Sequence, residues 1–98
     1  MVKAMESVIF TEIHDDKLRL VLTSPLKMQV RREDDYFMID FPDAHIYIAE
    51  ESFQEAVDMF HEEFAFAWRE YAEAVDDILS GDARELKAWL LAHARRTE

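Results

Sequence analysis

The side chains with most scope for chemistry are four histidines, at positions 14, 45, 61 and 93, set among 22 carboxylates. Imidazole and carboxylate together are the donor set of many divalent-metal sites. The runs His14-Asp15-Asp16 and Asp40-x-x-Asp43-x-His45 would meet at a metal if their loops adjoined, as in a metal-dependent hydrolase. Both runs read equally well as turns. His61-Glu62 begins like the helix motif of zinc proteases, but Ala65 stands where the second histidine is required. Asp58-x-x-His61 resembles half of a di-iron helix pair and has no second copy. The four serines lack a nucleophile-elbow context, and Ser52 and Ser80 are accounted for by helix boundaries. No cysteine and one glycine remove thiol chemistry, disulfides, Cys-ligated zinc and a glycine-rich phosphate cradle. We therefore assign no catalytic residue, no metal ligand and no cofactor from the sequence.

Charge narrows the partners. The chain has 98 residues, 22 acidic against 11 basic, for a net charge of -11. A nucleic-acid backbone demands a basic footprint, so direct binding to it is disfavoured unless the few Arg and Lys cluster. Tyr36, Tyr47, Phe10 and Phe37 would suit a base-stacking sheet, yet stacking platforms come with basic grooves, and ordinary packing explains them better. Half the residues are apolar, which separates this chain from disordered acidic tails. No apolar run approaches the roughly 20 residues that cross a bilayer, and no leader pattern opens the chain. The expectation is one cytoplasmic domain spanning residues 1–98.

Those side chains must be positioned by two kinds of element. Residues 1–49 alternate with a period of two, the strand signature. Val8 and Phe10 fall on one face, with Ile9, Thr11 and Ile13 on the other. Leu18, Leu20 and Leu22, then Leu26, Met28 and Val30, point one way on either side of Ser24-Pro25, which either bends one strand or separates two. Phe37, Ile39 and Phe41, and then Ile46 and Ile48, continue the scheme. Asp15-Asp16 and Asp34-Asp35 supply turns in a chain without Asn. An antiparallel meander of four or five strands is predicted.

From residue 52 the period changes. Ser52-Phe53-Gln54-Glu55 is a capping box, and Phe53, Val57, Phe60, Phe64, Ala67, Tyr71, Ala74 and Ile78 form a helical stripe widened by Trp68, Val75 and Leu79. This predicts one long helix over 52–80, stopped by Ser80-Gly81 with Gly81 in the left-handed position. Asp82 then caps a second helix over 82–96, which carries Leu86, Trp89, Leu90 and Ala94 on one side and ends in Arg95-Arg96. At about 1.5 Å per residue the first helix is roughly 40 Å long, twice the span of a six-residue strand. The second must fold back over the overhang as a helical hairpin. The fold class is α+β: a meander packed on one long helix, with a C-terminal helix returning along it.

Residues 50 to 80 hold ten carboxylates and one cation, Arg69. Met59 and Phe66 fall off the main stripe, onto the side that carries Glu62, Glu63, Glu70 and Glu73. Two large apolar groups in an acidic field would anchor a basic protein; the plainer account is a solvated face with incidental apolar groups. Like charges would oppose a homodimer through this face. Self-association would instead use a sheet edge or the apolar helical overhang.

The segment MQVRREDDYFMIDFPDAHIYIAEESFQEAVDMFHEEF resembles the N-terminal domain of HicB-type antitoxins. The matching features are the aromatic strand Tyr36 to Phe41, the pair Pro42-Asp43, the cap Ser52 and the pair Glu55-Ala56. The resemblance implies a partial RNase H-like domain that neutralises a small basic mRNA-cleaving toxin, without nuclease activity of its own. Ala44-His45-Ile46 replaces the family's glycine-containing stretch, the helix is longer than the family norm, and residues 82 to 96 are too few for a DNA-binding module. The expectation is thus a non-enzymatic, HicB-like interaction protein that binds a basic partner through Met59, Glu62, Glu63, Phe66, Glu70 and Glu73. The alternatives are a self-associating structural domain and a metal-dependent hydrolase using His14, His45 and the turn carboxylates.

Overall fold

The computed structural model describes residues 5–97. Four strands, β1 (Met5–His14), β2 (Arg19–Glu33), β3 (Tyr36–Phe41) and β4 (Ile46–Glu50), form an antiparallel meander in chain order. Helix α1 (Phe53–Ala67) runs without a break into a π-helical turn at Trp68–Ala72 and packs across β4, β1 and β3. A 3₁₀ turn at Asp76–Ile78 leads to α2 (Gly81–His93), which lies against the π turn and β2. The chain closes with a short strand, β5 (Ala94–Arg96), that pairs with Leu20–Leu22 of β2. The predicted α+β meander on a long helix with a returning C-terminal helix is the observed architecture.

Pro25 bends β2 without dividing it. Phe10 pairs with Leu26 and Glu12 with Val21, so two steps along β1 match five along β2 around Ser24-Pro25. The irregularity reverses the parity of β1. Phe10 faces the helices before it and Ile13 after it, both buried, whereas strict alternation had set them on opposite faces. Leu18, Leu20, Leu22, Met28, Val30, Ile39, Ile46 and Ile48 are buried as predicted. An aromatic ladder binds sheet to helices: Phe60 stacks on Phe10 at 4.6 Å between centroids and meets Phe41 edge-on, and Trp89 of α2 meets both Phe41 and Phe64.

Three helix boundaries differ from the sequence expectation. The long helix ends at Ala72 rather than at residue 80, and Val75 and Ile78 of the predicted stripe are exposed. Asp76 and Asp77 would have sat at the negative pole of a longer helix, and carbonyls that it would have satisfied internally are taken by α2. Lys87 donates to the Ala74 carbonyl, and Arg84 donates twice to that of Asp76. Ser80, not Asp82, caps α2, its hydroxyl accepting from the Ala83 amide. Gly81 is therefore the first helical residue and has no positive φ. Arg95 and Arg96, expected at the end of the second helix, lie in β5, where pairing with β2 replaces further helical bonds.

Candidate functional site

The predicted acidic surface is divided between two regions of the structure. Along α1, Phe60, Phe64 and Ala67 turn inward and leave Glu62, Glu63 and Phe66 exposed on the outer surface, where Glu63 and Phe66 border one recess and Glu62 another cavity. Glu63 and Phe66 share a recess with Ala44, His45, Ile46, Ala67, Tyr71 and Leu86. A second recess, of about 310 Å³, is lined by Asp43, His45, Asp82, Glu85, Leu86 and Trp89. The two adjoin through His45 and Leu86 and make one groove between α1, the turn before β4, and α2. Phe66 is 55% exposed there. No Lys or Arg among the described residues lines either recess. Among the described residues, Asp43, Glu63, Asp82 and Glu85 make no side-chain ion pair or hydrogen bond.

The other members of the expected surface have different surroundings. Met59 is half-buried and packs against the core. Glu70 is exposed and lines neither recess. Glu73 accepts from the Trp68 indole at 3.1 Å and pairs with Arg96, so its charge is engaged within the chain. The sequence pattern placed Glu63 and Phe66 together on one side of α1, and Asp43, His45, Asp82, Glu85 and Trp89 come near them only through the fold. Their one local signal was the departure at Ala44-His45-Ile46. His45 holds φ 56, a left-handed conformation that favours glycine, at the end of the 3₁₀ turn Pro42–Ala44.

Glu62 belongs to a different cavity, of about 640 Å³, lined also by His14, Asp15, Asp16, Lys17, Asp58, His61 and Arg69. The His14 and His61 rings stack at 4.4 Å, and the His14 amide donates to His61 Nδ1 at 3.3 Å. Burial, followed by repulsion from His14, lowers the pKa of His61 below its ordinary value, while Asp58 and Glu12 act the other way. Arg69, the one cation of the acidic stretch, is bound to Asp15 at 2.6 Å. That contact, with the Lys17 and Leu18 amides, holds the Asp15 carboxyl below the usual range. The adjoining loops that a His14 and His45 metal site requires are not formed, since the two histidines line separate cavities. Among the described residues no group of three or more His, Asp or Glu has metal-ligating geometry.

Most of the cations lie on or beside β2. Lys17, Arg19, Lys27, Arg31, Arg32, Arg95 and Arg96 are seven of the chain's eleven, and β5 joins the last two to the strand that carries most of the others. Arg19 is tied to Glu12, Arg31 to Glu33 and Asp40, and Arg96 to Glu73. Three of these seven cations are thus neutralised from within, which weakens any phosphate-binding footprint. Of the four aromatics weighed as a stacking surface, Tyr36 and Tyr47 are exposed, whereas Phe10 is buried and Phe37 packs on the core.

Compared with known proteins, the chain matches no family model, no curated protein and no solved structure.

Proposed function

We propose that this protein is a non-enzymatic acidic interaction module that holds a basic partner protein in the groove between α1 and α2. The observation that supports this reading is the exposed Phe66 with Glu63 in one recess, next to Asp43, Asp82 and Glu85 in the adjoining one, four carboxylates with no cation paired to them among the described residues. An arginine on the partner would satisfy both halves of the groove, its guanidinium meeting Glu63, Asp82 or Glu85 while its plane lies on Trp89, Tyr71 or Phe66. Unpaired exposed carboxylates retain their hydration until the partner arrives, so their pairing also steers the encounter and sets its salt dependence.

The resemblance of residues 28 to 71 to HicB-type antitoxins points to a small basic mRNA-cleaving toxin as that partner, bound in the cytoplasm. The groove uses the Pro42-Asp43 turn and the helix after Ser52, two of the features that carry that resemblance.

Titration with a synthetic arginine-rich peptide, followed by backbone amide shifts, tests the groove. Shifts are expected at Glu63, Phe66, Tyr71, Leu86 and Trp89, weakening as salt rises and lost in Phe66→Lys. Equal shifts along Asp15, Asp16 and Asp58, or none, would refute the docking site. The antitoxin reading has its own test: a small basic protein encoded beside this one must arrest growth when expressed alone and be neutralised by co-expression.

A further inference from the structure

We infer that a second copy of this chain pairs with the first half of β1, extending the sheet across a two-fold axis at Val8. The meander leaves β1 and β4 as its outer strands. They are protected differently. Strand β4 has five residues, follows directly on a proline-initiated turn, and ends in Glu50-Glu51. Strand β1 has ten residues, contains no Pro, Lys or Arg, and between Glu6 and Glu12 carries no charged side chain to blunt its edge. Its second half is managed: the register shift interrupts it after Phe10, and His61 of α1 takes the His14 amide. The first half, Met5 to Phe10, keeps regular register with β2 and has no such cover among the described residues.

The residue pattern of that half suits its own copy. Ile9 is 60% exposed, and Val8, on the inward face, packs against the core yet stays only half-buried at its margin. An antiparallel two-fold that keeps both helical layers on one side must place residues of like parity opposite each other. Centred on Val8, it sets Val8 against Val8, Ser7 against Ile9, and Glu6 against Phe10 of the second copy. No like charges meet, and the two cores join through the valines. The carboxylate-rich residues 50 to 80 belong to the helical side, while the neighbouring strand β2 carries four cations, so local repulsion at this edge is far below what a net charge of -11 suggests.

The inference stands independently of the docking groove, and salt separates the two: it weakens capture of a basic peptide but strengthens pairing of two acidic chains. Sedimentation of the whole chain over a concentration series, at low and high salt, is expected to show a reversible dimer that tightens with salt. Ile9→Lys is expected to weaken dimerisation about tenfold or more, the factor that ~1.4 kcal/mol represents, without moving the unfolding midpoint of the dilute protein. Because the chain has no cysteine, Val8→Cys reports the axis directly: oxidation should link it into dimers, whereas Tyr47→Cys on β4 should remain unlinked. Phe66→Lys should dimerise normally. A monomer at every concentration and salt, dimerisation unaffected by Ile9→Lys, or equal cross-linking at Tyr47 would overturn the inference.

Discussion

Phe60 and Phe66 lie six residues apart on one helix, and the structure predicts that replacing them has opposite kinds of consequence. Phe66 is 55% exposed, so a little under half of its roughly 200 Å² is hidden, worth at most about 2 kcal/mol at ~25 cal/mol per Å². A lysine there keeps much of that contact through its methylene stem, and its ammonium gains Glu62 and Glu70 at four-residue spacing, about 0.2–0.5 kcal/mol for each pair. The expected net cost of Phe66→Lys is therefore about 1 kcal/mol or less, a fall in melting temperature of about 4–8 °C at most for a domain of this size. Phe60 is fully buried between the rings of Phe10, Phe41 and Phe64. Phe60→Ala leaves a cavity that neighbouring rings cannot fill and should cost about 3–5 kcal/mol, a large share of the roughly 5–15 kcal/mol that holds a domain together. Urea unfolding followed by the fluorescence of buried Trp68 measures both. The same experiment run beside the peptide titration should show Phe66→Lys folded and unable to bind. An unfolded Phe66→Lys protein, or equal losses for the two variants, would place Phe66 in the core and refute the division of α1 into a packing face and a docking face.

Three further outcomes follow from particular contacts. Because the folded state lowers the pKa of His61 below 6.5, the unfolded chain binds more protons in between; stability from this joint is complete above about pH 6.5 and lost as pH falls through the folded value, and His61→Gln should flatten that part of the stability–pH curve. His45→Gly should raise stability by about 0.5–1 kcal/mol in chemical denaturation, since it relieves a left-handed side-chain conformation at φ 56; a loss would mean that contacts of the imidazole outweigh the strain. Ser80→Ala should cost about 1 kcal/mol by removing the cap of α2, while Asp82→Ala should cost clearly less, and the reverse order would restore the boundary expected from sequence.

The local chemistry of the chain was legible residue by residue. Alternation marked the inward sets of β2, β3 and β4, and the capping box located the start of α1, because strand periodicity and helix caps are written in neighbouring residues. Parity in β1 was not legible. Ile13 turns inward only because β2 supplies extra residues around Ser24-Pro25, and that is a property of two strands in register. The end of the long helix was also hidden: the apolar spacing continues to Ile78, but Lys87 and Arg84 claim the carbonyls past residue 73, and those donors are distant in sequence until α2 folds back.

The candidate site divides in the same way. From the chain alone came an acidic stretch, an off-stripe Phe66 with Glu63 beside it, and a net charge that favours basic partners. Which carboxylates stay unpaired depended on the folded molecule, because Arg69 goes to Asp15 and Arg96 to Glu73 across 54 and 23 residues of chain, leaving Glu63, Asp43, Asp82 and Glu85 without a cation among the described residues. Residue types and short-range spacing determine which groups are charged and which faces are apolar; long-range pairing determines which of those charges are spent within the fold and which face water, since an ion pair depends on distance in space.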